Sequence, residues 1–250
     1  MRAIILSAGK SSRLKELTKN LPKACLSINE KDSILSRMLK ILDRKGFDEA
    51  LIVVGYAAEA VKEFALNISK DLKDLRISFI DNDDFENKDN IYSVHLISSL
   101  LDNQTLVFNS DIVFDERILD IAVKRLKNAK SFLMIDDSKS LVDEDMKVIV
   151  KNKRIEQISK GLDNASSQGE YIGIMHINES DRAIYANMLK ELIEAADLKR
   201  HYEYALNKVL DKIDLVAEST QAYEWTEIDT LEDLEKARGL ECVNSVSLTQ

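Results

Sequence analysis

Short continuous apolar runs alternate with amphipathic stretches along the first half of the chain, and this alternation restricts the fold more than any other feature. Residues 2–7 are an apolar run ending at Ala8-Gly9, the pattern of a strand buried on both faces and feeding a loop. Ser33 then caps a helix with apolar residues at Ile34, Leu35, Met38, Leu39 and Leu42, closed by Gly46. Further strands are predicted over 50–55, 75–80, 105–109 and 130–135, with helices over 57–69, 92–101 and 116–128 and a polar loop over 81–90. Strands and helices taking turns imply an α/β fold: a three-layer α/β/α arrangement around a mostly parallel central sheet.

After Asp136 the rhythm changes. A hairpin is predicted from 146–150 and 154–158 around Asn152-Lys153, followed by a strand over 171–177 and helices over 180–196 and 201–210. Extended segments over 213–217 and 224–228 and a closing helix over 231–239 complete a single domain of residues 1–240, with 241–250 as a loose tail. The added strands make the expected sheet mixed.

Composition narrows the function. Of the 250 residues 45% are hydrophobic and 32% charged, too apolar for a disordered chain, and the net charge is −9. Such a balance argues against a general nucleic-acid binder, which needs a basic face, and leaves a nucleotide ligand open. Cys25 and Cys242 have no metal-ligand spacing, and no apolar run nears the roughly 18 residues of a membrane helix. A cytoplasmic protein with reduced thiols and no membrane partner is expected.

Ligands of such sheets sit beyond the carboxyl ends of the strands, where Ala8-Gly9 and Ser110-Asp111 both fall. In Leu6-Ser7-Ala8-Gly9-Lys10-Ser11-Ser12-Arg13-Leu14, small residues let backbone N–H groups approach phosphate. Arg13 adds a forked donor, and Lys23, after the rigid Pro22, adds a point charge. Neither a P-loop nor a dinucleotide fingerprint is present. Asp111 and Asp229 end apolar strands, and Mg²⁺ prefers carboxylate oxygens together with substrate phosphates. For Asp229 a plain helix-start role beside Thr230 and Asp233 stays open.

These residues resemble the signature of the nucleotidyltransferase superfamily of sugar-phosphate and phosphocholine activating enzymes, Ala-Gly-x-Gly-x-Arg-Leu followed by Pro-Lys. Ser11 stands where many members have Gly, and Glu227-Ile228-Asp229-Thr230 is similar to the family's late aspartate motif. The resemblance implies a Rossmann-like sheet, Mg²⁺ held by Asp111 and Asp229, and catalysis by Lys23, Arg13, Asp111 and Asp229. It implies nucleotide binding by Leu6, Ala8, Gly9, Lys10, Ser11, Ser12, Arg13, Lys23 and Asp111. Asp81-Asn82, Asn90-Ile91-Tyr92-Ser93, the stretch 142–148, Ile158-Ser159-Lys160 and Gly169-Glu170-Tyr171-Ile172-Gly173 resemble the branch that activates phosphocholine, inositol phosphate or aminoalkylphosphonates with CTP. Asn82, Asn90 and Ser93 would then border base and ribose in a nucleotide-binding half of about 1–135, unless Asn90 and Ser93 serve only to cap a helix. Lys147 and Lys160 would face the acceptor in a half of about 136–240, unless they are solvated surface.

The acceptor phosphate, already a dianion near pH 7, would attack the α-phosphorus in line and expel pyrophosphate. No general base is needed, which leaves His95, His176 and His201 to structural roles. Alternation along the run 223–229 puts Tyr223, Trp225, Glu227 and Asp229 on one side. With Glu170 and Tyr171, or Tyr202 and Glu203, they could box in a cationic acceptor such as phosphocholine or 2-aminoethylphosphonate. Open alternatives are a sugar-1-phosphate nucleotidylyltransferase using UTP or dTTP, an inositol-1-phosphate cytidylyltransferase, a glycosyltransferase and a silent nucleotide sensor. A homo-oligomer also stays open.

Overall fold

The computed structural model describes residues 1–10, 12–18, 21–128, 130–196 and 199–244. In chain order β1 (Arg2–Ser7) leads through two 3-10 turns (Ser12–Leu17 and Lys23–Cys25) into α1 (Ile34–Arg44), β2 (Glu49–Val54), α2 (Ala58–Ser69) and β3 (Arg76–Asp81). Next come α3 (Asn90–Ile97), β4 (Thr105–Asn109), β5 (Ile112–Phe114), α4 (Glu116–Leu126) and β6 (Phe132–Asp136). The second half contributes β7 (Lys147–Lys151), β8 (Arg154–Ser159), β9 (Gly169–His176), α5 (Glu179–Glu194) and α6 (Tyr202–Asn207). Then follow β10 (Val216–Ser219), β11 (Trp225–Glu227), α7 (Leu231–Gly239) and α8 (Glu241–Asn244).

Nine strands form one sheet in the order β3-β2-β1-β4-β9-β6-β10-β8-β7. β1, β2, β3 and β4 pair in parallel, as the strand–helix alternation requires. β9 then enters antiparallel to both β4 and β6, so the sheet is mixed. Period-two side-chain alternation divides the core between the two faces. On one, Ala3, Ile5, Ile52 and Phe108 pack under Leu35, Leu39, Val61 and Leu119 of α1, α2 and α4. On the other, Ile4, Val53, Val107 and Met175 pack under Val94, Tyr185 and Leu206 of α3, α5 and α6. Each fully buried Leu or Ile contributes roughly 1.5–3 kcal/mol, so the layered core needs no staple.

Local chemistry sets the helix ends. Ser33 and Ser36 exchange side-chain and backbone hydrogen bonds of 2.8 and 3.1 Å at the start of α1. Asp89 accepts from Asn90 N at 2.7 Å, starting α3 two residues ahead of the expected position. Thr230 and Asp233 form a second capping box under α7. Residues 241–244, expected in the tail, are the short helix α8, with Val243 buried. The rest of that tail, 245–250, lies outside the described residues. No helix among the described residues is long and apolar enough to cross a membrane.

Candidate active site

A two-stranded ribbon that sequence pattern did not reveal builds the centre of the site. β5 pairs antiparallel with β11, Ile112 opposite Glu227, and Ile228 N donates to Asp111 O at 2.9 Å. Val113 and Ile228 anchor the ribbon in a small apolar cluster with Leu14, Leu26, Ile34 and Leu234. Asp111, before β5, is thereby brought to Glu227 and Asp229, at and beyond the end of β11. One carboxylate oxygen from each lies within 4.8 Å of the others. Asp229 N also donates to Asp233 Oδ2 at 3.0 Å, so the helix-start box and the acidic cluster share one stretch of backbone.

Lys23 enters from the opposite side. Pro22 holds φ at −56°, and the buried Ala24 and Cys25 fix the following 3-10 turn. Lys23 Nζ donates to Asp111 Oδ2 at 2.8 Å and Asp229 Oδ1 at 2.9 Å, and Arg13 approaches Asp229 Oδ2 at 2.8 Å. Burial works against the charged ammonium, but Asp111 and Asp229 outweigh it and raise the Lys23 pKa. Burial, then the like charges of Asp111 and Asp229, pushes Glu227 well above the usual carboxylate range. Asp111 Oδ1 is buried without a hydrogen-bond partner. An orphaned oxygen beside two further carboxylates fits a hard divalent cation, which takes all-oxygen ligands. Among the described residues this is the one group of three His, Cys, Asp or Glu side chains so arranged.

These groups line a cleft of about 600 Å³ that also includes Leu6, Ala8, Gly9, Lys10, Asn82, Asn90 and Ser93. A Cβ on Gly55 would meet Ala8 at 2.9 Å and Phe85 at 2.8 Å, so only glycine lets β2 end this close to the loop. Gly9 faces open space on that loop. Lys10 is exposed and 3.5 Å from Glu86. Asn82 Nδ2 donates to Ser93 Oγ at 3.0 Å, and Asn90 Oδ1 accepts from Tyr202 N at 2.9 Å. Ser11 and the Ser12 side chain, also expected at the triphosphate, lie outside the described residues.

Of the expected acceptor residues, Lys160, Tyr171 and Glu227 line the cleft. Four others do not. Lys147 is 1% exposed and its Nζ donates to the carbonyls of Val142 and Asp143 at 3.0 Å, pinning the preceding loop rather than facing an acceptor. Glu170 is paired with Lys139. Trp225 Nε1 donates to Asp136 Oδ2 at 2.8 Å, and its ring is not among the residues lining the cleft. Tyr202 is buried and donates to Asn109 Oδ1 at 3.1 Å. Glu203, expected as a possible wall of a cationic-acceptor box, lines the cleft, as do Asn109, Gly173 and Lys199, which were not among the expected site residues. His201 lines it too, whereas His176 is buried with Nδ1 2.8 Å from Thr105 O.

The family model described as nucleotidyl transferase matches residues 2–144, more than half of the chain. The chain belongs to this family. The match spans the glycine loop, Lys23 and Asp111, so this nucleotidyl transferase carries three of the clustered elements inside the matched region. It is 28% identical over 94% of its length to a bifunctional IPC transferase and DIPP synthase of Aquifex aeolicus, covering 50% of that protein. It is 32% identical over 46% of its length to a choline-phosphate cytidylyltransferase of Streptococcus pneumoniae, again covering 46%. The chain thus spans about half the length of these two relatives. The solved CTP:phosphocholine cytidylyltransferase of Streptococcus pneumoniae superposes with a TM-score of 0.76 at 21% identity, over 95% of this chain and 97% of that one. That likeness establishes the shared α/β fold.

Proposed function

We propose that this nucleotidyl transferase is a cytidylyltransferase. It joins CTP to a phosphorylated or phosphonylated acceptor with a cationic head, of the phosphocholine or 2-aminoethylphosphonate kind, and releases pyrophosphate. The observation that carries the reading is the meeting of Lys23, Arg13, Asp111 and Asp229 in the cleft bordered by the glycine loop. The similarity to choline-phosphate cytidylyltransferase supports the choice of CTP. Residues 1–240 act as one domain in the cytoplasm, 1–135 chiefly on the nucleotide and 136–240 on the acceptor.

Asp111 and Asp229, with Glu227 beside them, would hold Mg²⁺, which when bound supplies positive charge to phosphate oxygens. The chain's own residues position and stabilise. Backbone N–H groups at Ala8, Gly9 and Lys10 cradle the triphosphate. Arg13 grips the departing phosphates, and Lys23 neutralises charge building at the α-phosphate. Asn82, Asn90 and Ser93 border base and ribose, and Lys160 faces the acceptor phosphate. The acceptor oxygen forms its bond to the α-phosphorus as the bond to the β-phosphate oxygen breaks, and pyrophosphate carries away the electron pair.

The test is pyrophosphate release over a matrix of CTP, UTP and dTTP against phosphocholine, 2-aminoethylphosphonate, inositol 1-phosphate and glucose 1-phosphate. CTP with a cationic acceptor is the expected pair. UTP or dTTP with glucose 1-phosphate would replace the reading with sugar activation. Nucleotide binding without pyrophosphate from any pair would make the protein a sensor.

A further inference from the structure

Of the acidic side chains lining the cleft that have no part in the chemistry above, Glu86, Asp89 and Glu203, only Glu203 is buried. Glu203, on α6, lines the cleft and is only 5% exposed, and its Oε2 is buried without a hydrogen-bond partner. The two tyrosine hydroxyls near it are already engaged. The Tyr171 and Tyr202 hydroxyls lie 2.7 Å apart, and Tyr202 spends its proton on Asn109. The two rings meet edge-on at 88°, and Trp225 is hydrogen-bonded to Asp136 and does not line the cleft. Among the described residues this part of the cleft therefore offers a buried carboxylate oxygen without a hydrogen-bond donor, and no cage of aromatic faces around it.

Resting on the cytidylyl-transfer reading, we propose that Glu203 is a specificity-determining residue that selects an acceptor bearing a primary ammonium over one bearing a quaternary ammonium. A buried carboxylate oxygen left unpaired is costly, and an N–H donor on the ligand removes that cost. A primary ammonium brings three donors and a compensating charge. A trimethylammonium brings charge without a donor and is held best by stacked aromatic faces, which Tyr171 and Tyr202 do not present. A polyol hydroxyl donates but leaves the carboxylate charge unanswered. Burial pushes the Glu203 carboxyl up to about 7, against its own backbone N–H, the Lys160 charge and the Tyr202 hydroxyl, while Asp89 reinforces the rise; a bound cation would bring it back down.

The experiment measures kcat/KM for pyrophosphate release with CTP and four acceptors: phosphoethanolamine, phosphocholine, 2-aminoethylphosphonate and inositol 1-phosphate. The first two differ only in N-methylation, and the third separates a phosphonate from a phosphate source. Wild type is expected to favour both primary amines over phosphocholine by about 10-fold or more. Glu203→Gln should lose about 10- to 100-fold on the primary amines, mainly through KM, and under 3-fold on phosphocholine. Wild-type preference for phosphocholine or inositol 1-phosphate, or an equal loss on all four, overturns the proposal. If Glu203→Gln does not fold, the wild-type ratio of phosphoethanolamine to phosphocholine still decides. If wild type releases no pyrophosphate at all, the transfer reading falls by itself. Calorimetric binding of phosphoethanolamine against phosphocholine then judges Glu203 separately.

Discussion

Replacing Lys23 by Met should convert the acidic cluster from a neutralised site into one that depends on an added cation. Lys23 Nζ lies 2.8 Å from Asp111 and 2.9 Å from Asp229, with its side chain 10% exposed and each carboxylate 20% exposed. Removing one partner of a buried pair costs about 3–5 kcal/mol, and partial exposure of the carboxylates discounts that to about 2–4 kcal/mol. For a chain of this size each kcal/mol moves Tm by about 2–4 °C, so metal-free Lys23→Met should melt roughly 5–15 °C below wild type. Because the Lys23 pKa is raised above its ordinary 10.5, the pair's stability is fully present below 10.5 and is lost only at higher pH. Neutral buffer therefore reports the whole effect. Magnesium at about 100 times its Kd returns about 2.7 kcal/mol, and the variant binds it without competition from the ammonium. Thermal melts in EDTA and in excess Mg²⁺ should show a larger magnesium shift for the variant than for wild type, while turnover stays down about 100-fold or more. Equal melting in EDTA, or a larger magnesium shift in wild type, would refute the reasoning.

Lys147→Met strips a buried ammonium from the carbonyls of Val142 and Asp143 and should cost about 1.5–3 kcal/mol, with the acceptor KM within about 2-fold of wild type. A raised KM at unchanged Tm would return Lys147 to the acceptor site. Gly173→Ala places a Cβ 2.8 Å from Asn109 Nδ2 at a φ of +85°, so strain of about 1–3 kcal/mol should lower Tm. Displacement of Asn109 should slow turnover as well, and an unaltered melt and rate would contradict that geometry. Glu203, raised from 4.5 to about 7, favours folding fully below 4.5 and loses that contribution as pH rises through 7, on the order of 3 kcal/mol. Neutral Glu203→Gln should therefore gain Tm over wild type from pH 5 to pH 8, and a gain that shrinks with pH would count against a buried, unpaired carboxylate.

The parallel side of the sheet was readable because β1, β2 and β4 are uninterrupted apolar runs and α1 carries both its stripe and its cap. β5 was not. Its three residues are too few for a period, and its partner β11 lies more than a hundred residues away. Without that ribbon the sequence placed Asp111 and Asp229 at strand ends but left Glu227 on the acceptor side. Lys147 was expected to face the acceptor or solvent, and its burial was not legible because the carbonyls that justify it come from a loop without a pattern. Trp225 was misread for a similar reason, since Asp136, which captures its indole, belongs to another strand. Arg13 and Lys23 were legible because their spacing from the glycine loop is local, even though their salt bridges span most of the chain.

β9 is wedged between β4 and β6, bonded to both. On the cytidylyl-transfer reading, nucleotide and acceptor would thus be received on a single sheet rather than between two separately hinged bodies. Any enclosure of the reacting phosphates would then fall to cleft-lining surface segments, among them Lys10, Asn87, Lys88, Lys199 and His201. Speed limits on ligand entry and product escape would then be written in these surface segments, and engineering them should alter turnover without touching the sheet.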